Sequence, residues 1–108
     1  MAFDFDPLFG KALDAGLKAA QPGGQAAQDW IRESARANAG ALRAIAEGVA
    51  TRQISRETGA MLLDESGRAL QSEAAALAVT VKAAAQAAVD AFLGTLLGGL
   101  KTALKLAL

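Results

Sequence analysis

The side chains with the best credentials for chemistry are seven carboxylates, Asp29, Glu33, Glu47, Glu57, Asp64, Glu65 and Glu73, spaced along helical sequence. Carboxylates projected from facing helices can act as acid–base pairs or hold two metal ions, as in four-helix di-iron proteins. That metal chemistry uses a Glu-x-x-His pair, and this chain has no histidine. It also lacks cysteine and tyrosine. The thiolate nucleophile, the commonest general base near neutral pH and the usual zinc ligands are therefore missing. Zinc sites and Cys or Ser/His catalysis are excluded, and the carboxylates read as solvated helix charges. No glycine-rich phosphate loop with its lysine is present; Gly94-x-x-x-Gly98 is a small-residue spacing that acquires meaning only in a bilayer span. The expectation is a protein with no catalytic residue, no metal and no cofactor.

What remains is apolar surface. At 100° per residue Leu93, Leu96, Leu97, Leu100, Ala103, Leu104, Ala107 and Leu108 fall in one arc, with Thr95, Gly98, Thr102 and Lys105 opposite. Lys101 lies at the boundary, where its stem can rest on apolar surface while its ammonium reaches water. No acid follows Asp90, so Lys101 and Lys105 leave this end cationic. Leu93, Leu96, Leu97, Leu100, Leu104 and Leu108, with Lys101 and Lys105, are the expected surface- or lipid-binding residues. A leucine arc serves equally as the core side of a soluble helix or as a self-assembly stripe. A polar face of threonine and glycine suits a lipid boundary, and Gly94, Gly98 and Gly99 are costly in a purely structural helix.

The elements that must position this arc are helical. Asp6-Pro7 predicts a helix start, followed by Phe9, Leu13, Gly16, Leu17 and Ala20 on one face, with Asp14 and Lys18 paired off it. Phe3 and Phe5 precede the cap and can staple it or grip a surface. Pro22-Gly23-Gly24 breaks the helix, making residues 21–24 a turn. Ile31, Ala35, Asn38, Leu42, Ile45 and Val49 then step by four and three, the period of a helix lying along another helix. Asp29 with Arg32, Glu33 with Arg36 and Arg43 with Glu47 suit its solvated side. Trp30 is either a partner anchor or a packed residue.

At Arg52 this stripe fails, since the register would put Arg52 and Arg56 in the seam; a turn, kink or register shift is expected over Thr51 to Gly59. Leu63, Gly67, Leu70, Ala74, Leu77, Val81, Ala84 and Ala88 repeat the step through a second long segment, with Asp64 and Arg68 paired off the seam. Ile31, Leu42, Ile45, Val49, Leu63, Leu70 and Leu77 are the expected helix interface. Its many small residues allow close approach with little burial per residue, so the interface needs many turns or several chains.

The chain has 108 residues, 53% of them apolar but only 5% aromatic, with 11 basic and 11 acidic side chains and zero formal net charge. That bounds it to one domain. The neutral, interspersed charge argues against nucleic acid, which requires a clustered cationic surplus. The start carries acids where a secretory signal carries basic residues. Lys82, Asp90, Lys101 and Lys105 interrupt the most apolar stretch, leaving no uncharged run of the roughly twenty residues a membrane span needs. Absence of cysteine is compatible with the cytosol.

The stretch ANAGALRAIAEGVATRQ, from Ala37 to Gln53, with Ile54 and a further helical run, resembles the central helix of phasins, the small proteins that coat polyhydroxyalkanoate granules in bacteria. Asn38, Leu42, Ile45, Val49, Arg52 and Gln53 carry the resemblance. It implies an all-helical, non-catalytic protein that oligomerises through coiled-coil contacts and lays amphipathic surface on polyester. The chain is shorter after this region than the family and ends in a leucine-rich segment. Taken together, the expectation is an all-α protein, an elongated helical hairpin or bundle with coiled-coil-like packing, forming a homo-oligomer. Residues 1–24 are a short helix and turn, 25–91 a helical hairpin core and 92–108 an amphipathic tail. Its expected work is coating a granule or lipid surface from the cytoplasm; the alternative is a structural self-assembly protein of a phage, filament or secretion system.

Overall fold

A computed structural model describes residues 4–106. Over that range the chain is all-helical: α1 (Phe5–Ala20), a 3₁₀ turn (Gln21–Gly23), α2 (Gly24–Ala50), α3 (Arg56–Ala75) and α4 (Val79–Leu104). Asp4, not Asp6, caps α1, accepting from the Asp6 amide at 3.3 Å; Asp6 and Pro7 lie inside the first turn. The Pro22–Gly24 break is where the sequence places it. Gly24 sits at φ +73°, a left-handed conformation that costs glycine nothing.

The α2–α3 connection occupies Thr51–Ser55 and explains why the stripe fails at Arg52. The Arg52 amide donates to Val49 O at 3.1 Å and the Gln53 amide to Gly48 O at 2.8 Å, the paired bonds of a Schellman stop. Its left-handed position is usually glycine; here Arg52 fills it at φ 64°. Ile54 folds back over Gly48, where no other side chain would leave it room. Ser55 then opens α3 by accepting from the Thr58 amide at 3.1 Å.

The all-helical expectation holds, but the two long helices expected after the short first one are three, α2, α3 and α4. The segment from Leu63 to Ala88 does not run unbroken, because the chain reverses at Ala76–Ala78. Leu77, expected in the helix interface, lies half-buried in that reversal. Nothing in Ala-Ala-Leu-Ala stops a helix locally. A continuous rod would, however, leave the apolar side of α3 and that of α4 without cover, whereas folding back lets each bury the other. Nor is 92–108 a separate tail: α4 passes through residue 92 without interruption.

Successive helices run antiparallel. Gly16 of α1 meets Ile31 of α2 and Phe92 of α4, Val49 of α2 meets Gly59 of α3, and Gly67 of α3 meets Leu93 of α4. α2 and α4 touch across the middle, with α1 and α3 seated on opposite sides of them and not approaching one another. The molecule measures 42 × 22 × 20 Å. Its core is built from Phe92, Ile31, Leu42, Leu63, Leu70, Leu96, Leu100 and Val89, with alanines filling the remaining contacts.

Candidate functional site

The leucine arc of α4 divides by depth. Leu96 and Leu100 are wholly buried, continuing the row of Ala85, Val89 and Phe92 that faces the other helices. They therefore do not lie on the outer surface of this bundle, in which α4 packs against all three other helices. Leu93, Leu97 and Leu104 are half-buried, while Lys101 and Lys105 are exposed. Leu108 and Phe3 lie outside the described residues. Among the interface positions Ile31, Leu42, Val49, Leu63 and Leu70 are buried and Ile45 packs half-buried against them. The interface expected to need many turns or several chains is largely closed within this one chain. Among the described residues the large apolar side chains left exposed are Met61 and Val79, one in the first half of α3 and one at the start of α4. α4 is nevertheless long and apolar enough by length and composition to cross a membrane.

The glycines of α4 divide as well. Gly99 receives the side chain of Leu8 from α1, so its lack of a Cβ has a packing reason. A Cβ added at Gly94 or Gly98 would meet open space.

Two of the surface depressions among the described residues bear on the ends and flank of α4. A groove of about 540 Å³ runs between α3 and α4. Leu63, Leu93 and Leu97 line it, and Gly67 opens it: Leu93 Cδ1 lies 3.1 Å from where a Cβ on Gly67 would stand. On its rim Arg68 pairs with Asp64 at 3.0 Å, and Gln71 Nε2 donates to Asp90 across the two helices at 2.5 Å. A second cleft, of about 710 Å³, lies at the end of the bundle where α2 stops, α3 starts and α4 stops. Val49, Ile54 and Leu104 form its apolar wall; Arg52, Arg56 and Lys105 bring three cations to it, with Glu57 the acid among its lining residues. The sequence reading missed this cleft. A partial signal was present: Arg52, Arg56 and Lys105, like Lys82 and Lys101, have no side-chain carboxylate three or four positions away.

The residues weighed for chemistry are dispersed. Asp29 accepts from Gln25 at 2.7 Å and pairs with Arg32 at 3.1 Å, and Glu47 lies 3.9 Å from Arg43. Arg43 also pairs with Asp6 and lies over the Phe5 ring, 5.6 Å from its centroid. The anticipated pairs Asp14–Lys18 and Glu33–Arg36 do not form. Glu33, Glu57, Glu65 and Glu73 are exposed. No group of three acidic side chains able to hold a metal ion occurs among the described residues. Trp30 is half-buried against the core.

Known family models, curated proteins and solved structures gave no match to this chain. The positions behind the phasin resemblance have local roles. Leu42 and Val49 are core, and Asn38 donates its side-chain amide to Ser34 O at 2.8 Å. Arg52 and Gln53 close α2.

Proposed function

We propose that this protein is a non-catalytic helical module that covers a hydrophobic surface, a storage-polyester granule or a lipid layer, by lifting α3 and laying the leucine side of α4 against that surface. What carries the proposal is the light seating of α3. Its inward side offers Leu63 and Leu70 as large residues, with Gly59, Gly67 and Ala74 between and around them. It makes no contact with α1, and short turns at both ends, Thr51–Ser55 and Ala76–Ala78, serve as hinges. Leu93 and Leu97 are already half-open in the α3–α4 groove, beside the buried Leu96 and Leu100.

Energetics favour such an exchange over simple opening. Exposing a buried leucine to water costs about 1.5–3 kcal/mol. A leucine that leaves the core for an apolar surface keeps most of that contribution, so the surface stabilises the open form selectively. Of the expected surface residues, Leu93 and Leu97 thus act after α3 is released, not from the closed bundle.

The test uses the absence of native cysteine. Gln71→Cys with Asp90→Cys, bridged by a cleavable thiol-reactive linker, ties α3 to α4. Co-sedimentation with polyester granules and with phosphatidylcholine vesicles is expected to be lost in the bridged protein and restored on cleavage. Equal binding before and after cleavage would refute the proposal. A defined oligomer in light scattering that ignores both surfaces would favour self-assembly through the groove instead.

A further inference from the structure

We infer that the cleft at the bundle end is a binding site for an oxyanion carried on an alkyl chain, a carboxylate or phosphate whose charge meets Arg52, Arg56 and Lys105 while its chain lies on Val49, Ile54 and Leu104. Three separated segments converge to build it: the stop of α2, the start of α3 and the stop of α4. Among the described residues none of these three cations is in an ion pair, which is equally true of Lys11, Lys18, Arg36, Lys82 and Lys101; what distinguishes the three is that one cleft gathers them. Like charges gathered without partners repel, and an anion relieves that repulsion. Glu57 lines the same cleft and offsets part of the charge, leaving three cations against one carboxylate. Guanidinium forks match carboxylate and phosphate geometry in two parallel hydrogen bonds.

The backbone supplies an independent observation. Arg52 at φ 64° and Lys105 at φ 57° are the non-glycine residues with positive φ among the described residues, and both line this cleft. Each occupies a helix-ending position that glycine fills without strain. Two cations placed where glycine would fold better, at one cleft, fit a requirement for their charge. Strain of this kind gathers at ligand-binding sites. The left-handed turn at Lys105 also directs Leu106 inward, where it is 3% exposed beside Gly59, so this end of α4 is held in place.

The inference deepens the surface-coating proposal by naming the headgroup chemistry the bundle end would meet, and its test is separable. The intact protein is titrated calorimetrically with decyl phosphate and with decanoate, both below their micelle concentrations, and with decanol and inorganic phosphate as half-ligands. The amphiphilic anions are expected to bind at least about tenfold more tightly than either half-ligand. Arg52→Gly with Lys105→Gly relieves both strained positions, so that variant should melt at or above the parent temperature while losing about tenfold or more in affinity for decyl phosphate. Decanol binding as well as decyl phosphate, or undiminished binding by a folded double variant, overturns the inference. Vesicles of phosphatidylcholine with and without phosphatidylglycerol distinguish a lipid headgroup from a free amphiphile. Vesicle binding indifferent both to phosphatidylglycerol and to the double variant overturns the cleft and leaves the coating proposal standing. Binding of free decyl phosphate without binding to either vesicles or polyester granules supports the cleft and removes the coating proposal.

Discussion

α1 and α3 flank the same central pair of helices from opposite sides, and they are held very differently. α1 brings large side chains to α4: Leu8 fills the space left by Gly99, and Phe9 meets Phe92 edge to face with centroids 5.7 Å apart, while Phe5 is buried beside Phe9. Gly16 lets the backbones close, since a Cβ there would stand 3.2 Å from both the Ala88 carbonyl oxygen and Ile31. α3 also offers glycines, Gly59 and Gly67, but fewer large residues. The difference shows that a glycine notch tightens an interface when a bulky neighbour fills it. Where Gly67 meets Leu93 the filling is partial, and a groove remains.

The largest effect expected from this contrast is at Phe92, which anchors α1 to α4. Phe92→Ala should cost about 3–5 kcal/mol, a large part of the roughly 5–15 kcal/mol total of an ordinary domain. Urea unfolding measures it, and a loss below about 1 kcal/mol would mean α1 is not anchored there. Leu70→Ala in α3 should cost about 2–4 kcal/mol, and its signature should be local. Amide hydrogen exchange is expected to quicken over Arg56–Ala75 while α1 and the adjoining part of α4 stay protected. Uniform loss of protection would erase the distinction between the two flanks. The smallest effects separate the glycines of α4. Gly94→Ala and Gly98→Ala should each raise stability by about 0.5–1 kcal/mol, because an added methyl meets open space. Gly99→Ala should do the reverse by displacing Leu8, and thermal melting of the three variants reads the sign.

Much of the bundle was legible along the chain because its causes are local. Pro22-Gly23-Gly24 removes a donor and supplies left-handed freedom, and the first break falls there. The failure of the Ile31-to-Val49 stripe at Arg52 marks the second, made by hydrogen bonds spanning only a few residues. The third reversal, at Ala76–Ala78, left no such mark, because alanine and leucine are good helix formers and the cause lies in α4 covering α3. The cleft was equally indistinct: Arg52 and Arg56 registered as interruptions of a stripe and Lys105 as part of a basic end. Only the meeting of three helix ends makes them neighbours.

Helicity, the first two breaks and the angular extent of the leucine arc were determined by the sequence itself, since backbone propensity, capping and the 3.6-residue period act within a turn or two. The destination of that arc was decided by tertiary structure. A run of leucines on one side of a helix requires that side to leave water, and the requirement is non-directional: a second chain, a lipid layer or the helix's own neighbours satisfy it alike. Here Phe92, Leu96 and Leu100 are buried within the one chain, whose α4 packs against the other three helices, and Leu93 and Leu97 remain half-open because α3 brings too few large side chains to close over them.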